Sequence, residues 1–201
     1  MGIPFVKLQG AGNDYIAIDG RNIEADWLNL SKVMSRSAFG VGSDGIVLLE
    51  DSQTAQVKLR IFNPDGTEAE MSGNGIRLFA KFVIDRGLSQ IGTDGSLKVE
   101  TLGGTRAVWP KIADGKVVSA KVAMGRPTWD PKRIPVILPS AKNEVAEIID
   151  HPIEVDDMQL KITCLSIGNP HAVAFLDTPV EDFPLNDVGP FVENHSAFPN
   201  R

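Results

Sequence analysis

Apolar and polar positions alternate in short runs over most of the chain, and one stretch breaks that rhythm. Ile76, Phe79, Ala80 and Val83 recur at helical spacing, Leu78 and Phe82 widen the same face, and Arg77, Lys81 and Asp85 form a narrow polar stripe. Such a thin stripe predicts a helix buried on most sides, closed by Gly87 in the left-handed conformation. Its start lies in Met71-Ser-Gly-Asn-Gly75, with Ser72 or Asn74 as the candidate cap. Small residues at a helix start leave backbone N–H groups open to close approach by an anion, and the helix dipole adds to the attraction. The turn therefore reads as a cradle for a carboxylate or phosphate, or more plainly as a turn into a core helix.

Strands are predicted at Ile3 to Leu8, Tyr15 to Asp19, Ile46 to Leu49, Val57 to Phe62, Leu97 to Thr101, Thr105 to Trp109, Lys116 to Met124, Ile134 to Leu138, Leu160 to Ile167 and Ala172 to Leu176. A second, weaker helix is predicted from Ile23 to Ser37. Turn clusters separate these elements, notably Gln9 to Asp14, Asn63-Pro-Asp-Gly66 and Gly168-Asn-Pro-His171. Ten of the 13 prolines lie from Pro127 onward, so the last part of the chain has little room for long helices. That shift places a domain boundary near Val122 to Thr128, giving domains 1–122 and 123–201. Glu181 to Arg201 shows no period, terminal strand or capped helix.

With 201 residues and 42% hydrophobic content, the chain can bury a substantial core. A net charge of −6 with no basic run argues against nucleic acid and anionic membrane surfaces as partners. No apolar run approaches the roughly 20 residues of a membrane-spanning helix, and no leader pattern opens the sequence. A lone cysteine, Cys164, rules out an internal disulfide framework and suits a reducing compartment, so the expected location is cytoplasmic and the expected partner a small molecule or a protein. Gly40, Gly42 and Gly45 spell a dinucleotide-binding pattern. Yet a helix precedes them and a strand follows, the reverse of what a pyrophosphate site needs. Asn13, Asn63, Asn74 and Asn169 all stand on turns; each is an ordinary turn former, and each also offers the donors and acceptor that suit the zwitterionic head of an amino acid.

Six segments in order, Gly10-Ala-Gly-Asn-Asp14, Gly40-Val-Gly-Ser-Asp-Gly45, Phe62-Asn-Pro-Asp-Gly66, Glu70-Met-Ser-Gly-Asn-Gly-Ile-Arg77, Glu100-Thr-Leu-Gly-Gly104 and Ile167-Gly-Asn-Pro-His-Ala-Val173, resemble the diaminopimelate epimerase family. The resemblance implies an α/β (α+β) fold of two similar strand-rich barrel domains, each around a central helix, the second incomplete here. It implies inversion of an amino-acid α-carbon, turning LL-diaminopimelate into the meso form, with no pyridoxal phosphate and no metal. It further implies that Asn13, Asn63 and Asn169 bind substrate, that Gly73 and Asn74 hold the carboxylate at the reacting end, and that Ser72 and His171 lie at the catalytic pair.

Two departures from the family pattern bear on chemistry. Family members use two cysteines on opposite faces of the substrate, and the first of these aligns with Ser72. A thiol near pKa 8.5 is tuned to a thiolate far more readily than an alcohol, which is weaker by about 7 units, or on the order of 10 kcal/mol of deprotonation cost. The second cysteine follows a Glu-Arg and a glycine-rich turn that this sequence does not contain; Cys164 lies inside a strand pattern instead. In addition, Gly45 stands where some members carry a substrate-contacting Gln, and Ser35 to Phe39 matches poorly. Two further readings keep their place: an isomerase or dehydratase of the same fold, and a non-catalytic amino-acid-binding protein. Strands left open in an incomplete second domain predict poor solubility or a homodimer.

Overall fold

The computed structural model describes residues 2–138 and 147–200. The chain divides into two compact units, Met1–Met124 and Gly125–Arg201.

In unit 1 the strands are β1 (Val6–Gly10), β2 (Asn13–Asp19), β3 (Ile46–Glu50), β4 (Val57–Phe62), β5 (Glu68–Ala69), β6 (Leu97–Glu100), β7 (Arg106–Ala113) and β8 (Lys116–Val122), with helices α1 (Trp27–Met34) and α2 (Gly73–Asp85). They form one sheet in the order β1-β2-β3-β4-β6-β7-β8, with the short β5 paired to β4. The sheet curls around α2, which packs against β1, β2, β3, β4, β7 and β8. This is the buried helix that the apolar spacing predicts: Ile76, Phe79, Ala80 and Val83 are wholly buried. Gly87 closes it at φ +66°. Its N–H donates to the Ile84 carbonyl and that of Leu88 to the Val83 carbonyl, so the last carbonyls of the helix are satisfied.

The polar stripe of α2 has a structural task at its far end. Lys81 Nζ donates to the Val117 carbonyl at 2.7 Å, and the Asp85 carboxylate accepts the Val117 N–H at 2.8 Å and the Lys81 ammonium at 2.7 Å. Two helix side chains thus satisfy the outward backbone groups of Val117, near the start of β8, the last strand of the sheet. Burial works against ionisation of Asp85, but Lys81 and the Val117 N–H outweigh it and hold the carboxyl below its ordinary range.

Unit 2 contains β9 (Ile148–Val155), β10 (Met158–Ser166) and β11 (Pro170–Ala174), antiparallel in the order β11-β10-β9. Helix α3 (Leu185–Glu193) and two single 3-10 turns, Pro131–Arg133 and Val180–Asp182, complete it. Its core gathers Ile134, Ile148, Ile153, Val155, Leu160, Ile162, Cys164 and Val188.

Three expectations for this part of the chain are corrected. Ile134 to Leu138 is not a strand: its alternate residues Ile134, Val136 and Leu138 do reach the core, but the backbone joins no ladder, and Ile137 N–H instead bonds the Ala197 carbonyl at 2.9 Å. The aperiodic stretch from Glu181 holds a helix, α3, despite Pro190 inside it and the lack of a side-chain cap. Strand β9 has no counterpart among the predicted strands; Pro152 interrupts its alternation, and an outer strand tolerates the missing N–H. In unit 1, α1 is shorter than the predicted Ile23 to Ser37, starting where the Asp26 carboxylate accepts the Asn29 N–H. The helix-glycines-strand order around Gly40 to Gly45 is that of α1 and β3, as the dinucleotide argument required.

Candidate active site

Sheet register brings the glycine and asparagine loops of unit 1 to one end of the sheet. Ile46 pairs with Ile16 on one side and Phe62 on the other, so Tyr15, Gly45 and Asn63 occupy the next positions on three neighbouring strands. Strand β5, paired to the end of β4, leads the chain from the same place through Met71 into α2.

At the start of α2, Ser72 is extended (φ −138°, ψ 121°) and its Oγ accepts the Gly75 N–H at 3.0 Å, which makes it the cap. The N–H groups of Gly73 and Asn74 have no hydrogen-bond partner among the described residues. Two backbone donors and the positive end of a 13-residue helix dipole therefore remain available at this point. Gly75 lies close against the cap: a Cβ there would come to 3.1 Å from Ser72 Cβ and Oγ, and Ser72 would have to give by a few tenths of an ångström.

The side chains around the cap form a connected string. Asn74 Nδ2 donates to Asn13 Oδ1 at 2.7 Å, Asn13 Nδ2 donates to Asp44 Oδ2 at 3.0 Å, and Arg77 Nη2 donates to Asn74 Oδ1. Asp44 also accepts the Asp14 N–H at 3.0 Å. The Lys7 ammonium, 2.8 Å from Asp14, holds the Asp14 carboxyl below its usual range against a smaller opposing effect of burial. On the adjoining loop, Asn63 Nδ2 donates to Thr67 Oγ1 at 2.9 Å while the Asn63 N–H meets the Thr67 carbonyl at 2.8 Å. Tyr15, buried, brings its hydroxyl to 3.5 Å from Ser72 Oγ.

The structure thus joins Asn13 to Asn74, sets Ser72 and Gly73 beside them in sequence, and puts Asn63 on a neighbouring strand end. Asn169 and His171 belong to unit 2, Asn169 on the turn before β11 and His171 within that strand, with His171 Nε2 3.2 Å from Asn169 Oδ1. His171 also lines a mostly apolar cavity of about 170 Å³ with Val136, Val192 and Phe198. Cys164 sits fully buried in β10, where desolvation pushes its thiol up to about 11 and leaves it inert at neutral pH.

Three members of this cluster escape a linear reading. Tyr15 looks like an ordinary strand residue, Asp44 like a turn former and Arg77 like part of a solvated stripe; only their partners at remote positions reveal them. Gly45 has a clear reason for its identity. At φ +138° a Cβ would lie 2.2 Å from the Phe62 carbonyl oxygen, so no side chain fits without a shift of the backbone. Among the described residues no group of three or more His, Cys, Asp or Glu side chains is placed to hold a metal, and no helix is long and apolar enough to cross a membrane.

The sequence pattern of the diaminopimelate epimerase family matches residues 5–129. The diaminopimelate epimerase of Methanococcus maripaludis is 41% identical over 198 residues, covering 98% of this chain and 68% of the relative. That of Acetivibrio thermocellus is 42% identical over 200 residues, with the same coverage. Among solved structures, a probable proline racemase from Agrobacterium radiobacter superposes with a TM-score of 0.66 at 14% identity, over 94% of this chain and 53% of that one. A hydroxyproline epimerase from Agrobacterium vitis, solved with bound trans-4-hydroxy-L-proline, gives a TM-score of 0.64 at 14% identity over 92% and 52%. The chain spans about two thirds of the length of the curated relatives and about half that of these structures, which share its mixed α+β, strand-rich fold.

Proposed function

Because this chain belongs to the diaminopimelate epimerase family, we propose that it binds diaminopimelate and serves the cofactor-independent epimerisation of the LL to the meso form, a step of lysine and peptidoglycan precursor synthesis. The observation that carries this reading is the pair of open N–H groups at Gly73 and Asn74, on the positive end of α2 and beside a polar string of asparagines. Docked there, the α-carboxylate of an amino acid meets two donors and a dipole. These stabilise the negative charge that spreads from the α-carbon onto the carboxylate when the α-proton leaves. Asn13 and Asn63 are assigned to the rest of the substrate; the substrate-binding role proposed for Asn169 and the catalytic role proposed for His171, both in unit 2, follow from family membership.

Ser72 takes the position next to that carbon. An alcohol is weaker than a thiol as an acid by about 7 units, so this chain is expected to bind well and turn over slowly. The test is calorimetric binding of LL-diaminopimelate together with α-proton exchange in heavy water, for the protein and for Ser72→Cys. Binding by both forms with faster exchange by Ser72→Cys is the expected result. Absence of binding by either form would refute the reading.

The same-fold alternatives rest on structures only 14% identical, against 41–42% for the diaminopimelate epimerases, and are set below it. Cytoplasmic residence is part of the proposal, supported by a single free, buried thiol and by the biosynthetic role. So is self-association through the outer strands of unit 2, on which Ile149 and Val173 are exposed.

A further inference from the structure

Tyr15 is a polar group beside the helix start for which the chemistry above has no use, and it is not placed as a bystander. Its side chain is 6% exposed and belongs to the core of unit 1. The ring is pinned beside Gly45, where a Cβ would touch Cε1 at 3.4 Å. Its hydroxyl, 3.5 Å from Ser72 Oγ, has no other hydrogen-bond partner among the described residues. Burying a phenol hydroxyl is unfavourable unless it is bonded, and phenylalanine would fill the same volume without that cost. Ser72 Oγ spends one lone pair on the Gly75 N–H, which leaves its proton and its second lone pair for Tyr15.

We propose that Tyr15 is a positioning residue that acts through Ser72, supplying the acid-base capacity that a serine lacks at this position. The inference rests on the proposed function, in which Ser72 faces the α-carbon. Phenols are stronger acids than alkyl alcohols by about 6 units, so a phenolate forms at a pH where an alkoxide does not and can accept the proton that the Ser72 hydroxyl gives up. In the forward step the α-C–H bond breaks and its proton goes to Ser72 Oγ. The hydroxyl proton of Ser72 passes in the same motion to the phenolate oxygen of Tyr15. The electron pair of the broken bond stays on the substrate, stabilised by the amides of Gly73 and Asn74. One negative charge has moved from phenolate to substrate, Ser72 ends neutral as it began, and no co-reactant is consumed. Run backwards, the same relay returns a proton to the carbon.

The experiment is α-proton exchange of LL-diaminopimelate in heavy water, from neutral to alkaline pH, with Tyr15→Phe made in both the Ser72 protein and the Ser72→Cys variant. Calorimetric binding and melting temperature are followed alongside, since Tyr15→Phe conserves the ring and should fold. With Ser72 present, exchange should climb with pH, and Tyr15→Phe should lower it by on the order of 100-fold and flatten the climb while binding persists. In the Ser72→Cys background, where the thiol carries its own proton, the loss should be at least about ten times smaller. An equal loss in both backgrounds would assign Tyr15 a purely structural role, and an unaltered rate and pH profile, or no exchange by the Ser72 protein even at alkaline pH, would overturn the relay. Failure of diaminopimelate to bind any form would instead strike at the proposed function and remove the ground of this inference with it.

Discussion

Units 1 and 2 both pack strands over an apolar centre, in a mixed sheet in unit 1 and an antiparallel one in unit 2, but they treat the sheet's open side differently. In unit 1 the sheet curls round α2, so the core draws on helix and strands together, and Lys81 and Asp85 bond the backbone of Val117 near the start of the last strand. In unit 2 three strands and the nine-residue α3, interrupted by Pro190, share a smaller core, and Ile149, Val173 and Phe175 face outward. The lesson concerns the site. A buried helix cannot leave its first N–H groups sealed in the interior, so α2 must open at the rim of the sheet, and the loops that end the neighbouring strands converge there. The enclosure that stabilises unit 1 is thus also what leaves the Gly73 and Asn74 N–H groups unpaired at the rim, where a carboxylate is proposed to dock.

Three measurements bear on this contrast. Truncation of the enclosed helix should cost most: Phe79→Ala, wholly buried between helix and sheet, is expected to lose about 3–5 kcal/mol in urea unfolding, and Ile162→Ala in unit 2 about 2–3 kcal/mol, because a thinner layer collapses more readily into the space. A larger loss for Ile162→Ala would reverse the ranking. Next comes the covered strand of unit 1. Asp85 has a depressed pKa in the folded state, so its contribution is present above the ordinary value of 3.8 and disappears as pH falls through the folded value. Asp85→Asn should therefore cost about 1–3 kcal/mol at neutral pH and progressively less under acid, read from unfolding curves at both; a difference independent of pH would show that the charge is not what matters. The smallest effect is expected at the outer strands of unit 2. If they mediate self-association, Ile149→Lys should shift gel-filtration profiles toward monomer by several-fold in dissociation constant, on the order of 1 kcal/mol. A parent protein that elutes only as monomer would remove the contrast in how the two sheets treat their edges.

Much of unit 1 was legible in the sequence because its signals are local. The thin polar stripe, Ser72 ahead of Gly73 and the left-handed Gly87 together specify α2 within 16 residues, from Ser72 to Gly87. The β1–β2 hairpin likewise carries its own turn, with Ala11 and Gly12 at positive φ. Unit 2 was less legible for an equally physical reason. Pro152 disguises an outer strand, Pro190 disguises a helix, and the alternation of Ile134, Val136 and Leu138 describes burial without a ladder. Binary pattern reports which residues are covered, and it does not say by what.

The amino-acid order by itself determined the buried helix, its closing glycine, the turn asparagines and the family to which the chain belongs, since each depends on residues a few positions apart or on motifs kept in sequence; that Ser72 rather than Asn74 is the cap came from the structure. Only the folded sheet decided that Asn74 bonds Asn13 across 61 positions, that Tyr15 reaches Ser72 across 57, and that Gly45 lies against the Phe62 carbonyl. Those contacts follow from strand register, a property shared between distant segments, and no window of the sequence contains it.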